Sequence, residues 1–364
     1  MTVLGVSAAI TALVTTFGFL DTFTATLDAS SDETLRVAPD RLVVSLRTFE
    51  TADGPTLRSI RALPHVGSAS AAVLLPVTAA PASSPDATSI DLMVQTIPAD
   101  APWVPRLSGG SLKGGIVLSR KAAHDLGVSI GHQVILRHPR ITPGGLTMTR
   151  STLRVAGLHP DPVRGNAYLP AGEDSVIVSP GLVNVVTVRP ATGYAVDDVR
   201  RAVLGLQQVS AVQTARAVVD AMRSSLDEFL GVLRVAGAVT LLLALLIAFN
   251  TASIGMDERS REHATMMAFG LSARTVLAIA TIEAAIIGAM GTLIGIVGGY
   301  GVLAWVTRAI TPGVLPEIDV TAALSAGTVT GAMVLGVATV ALAPVLTLRR
   351  LRHIDIPTTL RLVE

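Results

Sequence analysis

The sequence predicts a membrane α-helical protein: four transmembrane helices in a 1+3 layout around an extracytoplasmic α+β domain with an inserted small β-rich subdomain. Three observations predict it. The chain of 364 residues is 50% hydrophobic and only 15% charged, against about 25% charge in an ordinary soluble domain, and its mean hydropathy is +0.59. Four stretches are apolar over or nearly over the length of a bilayer crossing, about 20 helical residues. Between the first and second of these, residues 30–220 hold most of the prolines and alternate in the manner of strands.

The elements follow in order. Residues 2–20 carry no charge, and 1–29 read as transmembrane helix 1 and a stalk that contains Asp21 and Asp28. A signal peptide is the competing reading of this segment. The missing basic n-region and the lack of a clear small-x-small site disfavour it, although the charged residues that usually precede a first span are also absent. Residues 30–220 form the extracytoplasmic domain. Strands at 41–46, 69–76, 183–189 and 211–214 and helices at 56–63 and 196–207 give the order βαβ, insert, βαβ. The β-rich insert covers about 100–175. Within it, 115–119 leads into a helix over 120–126, and 132–137 pairs with 153–158. Residues 81–86 are a Ser-Pro-rich loop, and 109–115 a glycine-rich turn. Residues 215–229 are helical and run straight into the second span at 235–254, so 221–256 is stalk and transmembrane helix 2.

Residues 257–272 are a charged island, and transmembrane helix 3 occupies 273–310. Its apolar stretch 275–307 carries one charge, Glu283, and would be roughly 50 Å long at about 1.5 Å per residue. A hairpin broken at Gly298 and Gly299 would place the last arginines on the opposite side from the island. The positive-inside rule wants Arg259, Arg261 and Arg274 on the same side as Arg349, Arg350 and Arg352. A single span at 273–310, an outer loop at 311–319 with Glu317 and Asp319 but no basic residue, and transmembrane helix 4 at 320–348 satisfy it. The N-terminus, the island and the tail 349–364 are then cytoplasmic.

In the island, Ala264, Met267, Ala268 and Leu271 recur at i, i+3, i+4 and i+7, an apolar stripe on a helix. Arg259, Glu262, His263 and Thr265 take other faces. Glu258 with Arg261, and Arg259 with Glu262, are i,i+3 ion pairs. Gly270 supplies a left-handed cap and Ser272 an N-cap for the next helix. An ordinary solvated loop that only sets topology is the alternative reading of these residues. Gly291, Gly295 and Gly299, and Gly327 and Gly331, form small-x-x-x-small faces for close helix approach; packing within the chain is expected before a dimer seam. Glu283 is an intramembrane carboxylate, expected to bond to a neighbouring helix or reach the interface because no proton-relay partner stands in the other spans.

Several function classes are disfavoured or excluded. There is no cysteine, and net charge is +1, so disulfides, thiolate chemistry and nucleic-acid binding have no support. His132 and His138 lie about 20 Å apart along one strand, too far for one metal. No G-x-x-x-x-G-K-[ST] is present, so the chain hydrolyses no ATP by that route, and neither a G-x-S-x-G serine nor a carboxylate dyad is seen.

The run ERSREHATMMAFGLSARTV from Glu258, followed by the Glu283 helix and the glycine-rich residues 288–301, resembles the signature of FtsX/MacB-type ABC transporter permeases, the mechanotransmission or type VII class. The family pattern is matched at Glu258, Arg259, Arg261, Glu262, Ala264, Ala268, Gly270 and Val276. His263, Met267 and Phe269 depart from it. The tail RRLRHIDIPTTL (349–360) resembles the family's closing pattern, with Ile356 displacing a proline to 357, and residues 114–136 resemble its extracytoplasmic insert. The resemblance implies that residues 258–271 are a coupling helix seated on a cytoplasmic ABC ATPase, with two ATPases serving two permeases, the second an identical copy or a paralogue. It implies no cofactor on this chain, ATP and Mg on the partner, and a bacterial plasma membrane. The output would be export or extraction of a peptide, lipid or lipoprotein, or activation of a cell-wall hydrolase, with an extracytoplasmic adaptor or hydrolase as a further partner. A membrane-anchored sensor or adaptor acting without an ATPase is the alternative.

Overall fold

The computed structural model describes residues 2–351 except 86–87, 143–144, 171–176 and 178–180. The chain divides into two compact units, one of Met1–Ala25, Asp227–Gly313 and Val320–Glu364, the other of Thr26–Leu226 and Val314–Asp319. The first helix, α1 (Thr2–Leu35), passes from one to the other.

The β-containing unit continues with β1 (Leu42–Thr51), α2 (Pro55–Ala62), β2 (Val66–Ala72), β3 (Leu74–Pro81), β4 (Ile90–Ile97), β5 (Gly109–Gly110) and β6 (Ile116–Ser119). It goes on through α3 (Arg120–Asp125), β7 (Gln133–Thr142), β8 (Gly145–His159), β9 (Asn166–Pro170), β10 (Leu182–Pro190), α4 (Val196–Leu204) and β11 (Val209–Thr214). Four antiparallel strands in the order β11-β1-β10-β2 make one sheet. Its core joins Leu42, Val44, Val186 and Val188 to Leu57 and Ile60 of α2 and Val199 and Val203 of α4, the apolar stripes that 3.6-residue periodicity requires of helices lying on a sheet. The second sheet runs β5-β8-β6-β9-β4-β3-β7, and β7 pairs back onto β8, so it closes on itself. Alternate residues point inward: Ile90, Leu92 and Val94 of β4 are buried, while Asp91 and Met93 are exposed.

The sequence reads residues 69–76 as one strand. The structure divides them at Val73, with β2 in the first sheet and β3 in the second. Side chains satisfy the backbone where the chain changes sheets: Val73 N donates to Thr96 Oγ1 (2.8 Å), and Leu74 exchanges bonds with the Asn184 amide (2.8 and 2.9 Å). Buried backbone groups need such partners. The expected pairing of 132–137 with 153–158 is present only in part: Gln133 faces Arg154 and Val134 faces Leu153, but from Ile135 onward β7 faces residues 145–152, while Val155, Gly157, Leu158 and His159 pair with β5 and β6. Strands β4 and β9, which pair in parallel, were not legible in the sequence. Part of the expected loop at 81–86 falls on residue 86, outside the described residues.

The helical unit contains the first part of α1, the second part of α5 (Ala215–Glu258), α6 (Ser260–Ala268), α7 (Ala273–Ala309), α8 (Thr311–Val314) up to Gly313, and α9 (Ala326–Leu351). Among the described residues, four segments are long and apolar enough to cross a membrane: Thr2–Leu35, Leu230–Gly255, Ala273–Val314 and Ala326–Pro344. Helix α5 is continuous, and α7 runs unbroken through Gly298 and Gly299. The last helix begins at Ala326 rather than 320. Asp21 accepts from Ser325 N (2.8 Å), Thr22 Oγ1 from Ala323 N (3.0 Å), and Ser325 Oγ caps Thr328 N (3.0 Å), so Ala323 and Ser325 satisfy their N–H groups on side chains of α1 and not in a helical turn.

The small-residue stripe of α7 faces α1. A Cβ at Gly291 would lie 3.0 Å from Val6 Cβ, at Gly295 2.6 Å from Ile10 Cβ and 2.8 Å from Ser7 O, and at Gly299 2.7 Å from Val14 Cβ. Thr11 and Thr15 hydroxyls donate to Gly295 O (3.2 Å) and Gly299 O (3.3 Å). Where lipid replaces water, contact of this closeness supplies the attraction that burial would supply in a soluble bundle. The close helix approach expected at Gly327 and Gly331 is absent: among the described residues a Cβ at Gly327 would meet only Ser325, and one at Gly331 nothing within 4 Å.

Candidate functional site

The charged island folds as α6, set between the end of α5 and the start of α7. Its C-terminus is a Schellman motif: Leu271 N returns to Met266 O (3.2 Å) and Gly270 N to Met267 O (3.0 Å), with Gly270 at φ +94°. Glycine occupies that left-handed conformation without a Cβ penalty. Ser272 Oγ then accepts from Thr275 N (3.2 Å) and starts α7. Helix, tight break, helix is therefore encoded by two residues, Gly270 and Ser272.

The stripe Ala264, Met267, Ala268, Leu271 is divided by the structure. Ala264 is 0% exposed and Met267 half-buried, whereas Ala268 and Leu271 are exposed. His263, assigned from the sequence to another face, is buried beside Ala264. In a helix of nine residues the buried arc is narrow, and here it falls between these neighbours. Phe269, at the C-cap, is 85% exposed, an apolar ring held out by the turn. Glu262 is exposed, as is Glu258 on the last turn of α5. The side chain of Arg261 lies outside the described residues.

Glu283 has its partner on the island and not on another span: the Arg259 guanidinium bonds its carboxylate. The sequence could have shown this only through an unusual separation, since the two lie 24 positions apart. Arg259, His263 and Glu283 line one cleft with Thr2 of α1, Ala252 of α5 and Val340 of α9. The pair ties the α5–α6 junction to α7. Both side chains are nearly half exposed (43% and 45%), so orientation is its contribution more than stability. Arg259→Glu is expected to release α6 by setting two carboxylates together, and Arg259→Glu/Glu283→Arg to restore it; protection of a thiol at Ala264→Cys reads both.

Burial holds the His263 imidazole below its usual value; Glu262 opposes this and Arg259 adds to it. The neutral ring is thus the form that suits the seated helix. Seating is at full strength above the ordinary histidine value of about 6.5 and weakens as pH falls below it, because the released imidazole takes up a proton more readily. Thiol labelling at Ala264→Cys is expected to accelerate on acidification, and His263→Leu to flatten that dependence. A labelling rate equal at neutral and acid pH in the parent would contradict it.

Among the described residues no group of three or more His, Asp or Glu is placed to hold a metal. His138 and His159 are buried singly, His138 on Ser151 Oγ (2.8 Å) and His159 on Asn166 O (2.9 Å).

Residues 1–206 match the family described as MacB-like periplasmic core domain, and 234–356 match FtsX-like permease C-terminal. Among solved structures, similarity is found to the periplasmic region of MacB from Actinobacillus actinomycetemcomitans (11% identity, TM-score 0.34, 52% of this chain and 95% of that one). It is also found to the extracellular domain of the noncanonic ABC-type transporter YknZ from Gram-positive bacteria (15% identity, TM-score 0.30, 47% of this chain and 97% of that one). No curated protein matches the chain.

Proposed function

Because the chain belongs to the FtsX/MacB-like permease family, we propose that it is the membrane subunit of an ABC complex that passes an ATPase's conformational change to an extracytoplasmic domain. In this reading α6 is the coupling helix on the cytoplasmic face. Two ABC ATPases bind ATP and Mg and serve two permeases, this chain and a second copy or paralogue. The N- and C-termini lie in the cytoplasm of a bacterium, one span precedes the β-containing domain and three follow it, and the inserted subdomain is the second sheet, which takes in β3 and β4 ahead of the 100–175 expected from the sequence. Export or extraction of a peptide, lipid or lipoprotein, or activation of a cell-wall hydrolase, is the work performed.

The observation that carries this reading is the construction of α6. One end is fixed to α7 through Arg259 and Glu283, His263 and Ala264 are buried, and Phe269 and Leu271 remain uncovered. A loop that only set topology would need neither a buried arc nor a Schellman stop. The uncovered apolar end beside exposed Glu262 is the composition of a protein contact. Helix α5 carries the chain without a break from Ala215, at the end of β11, to Glu258, next to α6, and a continuous helix moves as a lever.

The test is a distance. Spin labels at Met93→Cys in the β-containing domain and Leu342→Cys on α9, both exposed positions, are placed in the complex with its ATPase. Trapping the ATPase with ATP is expected to shift the distribution. A distribution identical with and without nucleotide counts against the proposal and in favour of an ATPase-independent sensor or adaptor.

A further inference from the structure

The middle of the segment between α7 and α9 does not belong with the helices. Residues Val314–Asp319 fall in the same compact unit as the β strands, held against the turn between β8 and β9. Arg164 N donates to Glu317 O (2.7 Å) and Asp319 N to Pro162 O (2.8 Å), on either side of an antiparallel bridge between Val163 and Ile318. The Arg164 guanidinium reaches the Glu317 carboxylate and, with its other nitrogen, Asp125 Oδ2 (3.4 Å). Asp125 also takes Lys121 Nζ (2.6 Å). Arg164 is 14% exposed, and its carbonyl accepts from Ser119 Oγ (3.1 Å). The turn itself is fixed by Asp161, which accepts from Val163 N (3.0 Å) and Asn166 Nδ2 (2.9 Å), with Ser30 Oγ of α1 at 3.5 Å.

We propose that this turn is a junction for force: Arg164 clips the α7–α9 connection to the domain, giving a third mechanical link beside the stalks of α1 and α5. A loop that only joined two helices needs no strand bridge and no largely buried arginine shared between two carboxylates. A guanidinium engaging two anions is oriented by both, so the bridge is held in register as well as attached. Because Ser30 meets the same turn, the end of α1 and the α7–α9 connection are fixed to one point of the domain. Movement of α7 and α9 then arrives there without passing through α5. Arg164 is in these terms a positioning residue.

The inference rests on the proposed ATP-driven movement, and its test separates the two. Val163 and Ile318 face each other as a non-hydrogen-bonded pair, the close type of antiparallel pair, within reach of a disulfide, and the chain has no cysteine of its own. In the full chain with its ATPase, Val163→Cys/Ile318→Cys is expected to cross-link on mild oxidation, and Glu317→Arg to slow it. Labels at Met93→Cys and Val314→Cys are expected to keep one distance with and without ATP. Arg164→Ala/Glu317→Ala is expected to diminish the ATP-dependent shift between labels at 93 and 342, and the disulfide to restore it. Failure of the cysteines to join, a 93–314 distance that follows nucleotide, or an undiminished shift in the double variant overturns the clip. A 93–342 distance indifferent to ATP, with the disulfide formed and the 93–314 distance fixed, overturns the ATP-driven reading and leaves the clip standing.

Discussion

Gly295→Leu is expected to separate α1 from α7 and to prevent the helical unit from assembling. A single Cβ at this position would stand 2.6 Å from Ile10 Cβ and 2.8 Å from the Ser7 carbonyl. The carbonyl is backbone and cannot rotate away, and three further carbons have no space. Overpacking costs about 1–3 kcal/mol where neighbours can yield, and here the yielding group is a whole helix. The Thr11 and Thr15 bonds to Gly295 O and Gly299 O would be lost with it. Gly331→Leu on α9 is the control, since none of the described residues lies within 4 Å of its Cβ position. Leucine is the better helix former by about 1 kcal/mol, so this variant should be neutral or slightly stabilising. Thermal unfolding in detergent reads both: a large loss of midpoint for Gly295→Leu and none for Gly331→Leu. Equal midpoints would show that the stripe does not hold the bundle.

Ala264→Asp is expected to abolish ATPase association. The side chain is 0% exposed and would carry a carboxylate into the arc that faces the bundle. The neighbouring cation, Arg259, is already engaged by Glu283. A buried charge without a partner costs several kcal/mol, more than a nine-residue helix gains from its own turns, so α6 leaves its seat. Two other variants tell loss of the seat from loss of the contact. Phe269→Ala, at an 85% exposed ring, should weaken association by about tenfold or more if the ring is an interface anchor, with the Ala264→Cys thiol still protected. Glu262→Arg should do the same through charge. Full ATPase copurification with all three variants would remove α6 from the contact.

What the sequence shows and what it hides divide along a physical line. Hydropathy places the four long helices, and cap chemistry places the Gly270 stop and the Ser272 start, because these depend on residues adjacent in the chain. The α7 glycines announce a close contact by their spacing, but not that the contact is α1: Val6, Ile10 and Val14 carry no mark of facing a groove. Arg259 and Glu283 are individually conspicuous, yet their pairing depends on how α6 folds back on α7, which no local period encodes. The stripe at 264, 267, 268 and 271 puts the arc's centre one position beyond where it lies, which is why His263, buried in the structure, reads from the sequence as belonging to another face. In the domain, one apolar run at 69–76 serves two sheets. The break at Val73 is decided by Thr96 and Asn184, residues of other strands.

Coupling through α6 requires that it meet an ABC ATPase. The most direct measurement is a photo-reactive residue at position 269, introduced into the full chain in native membranes, followed by identification of what it captures. An adduct with an ABC ATPase is expected, dependent on the seated helix and lost in Ala264→Asp. Capture of lipid alone, or an adduct indifferent to Ala264→Asp, would contradict it.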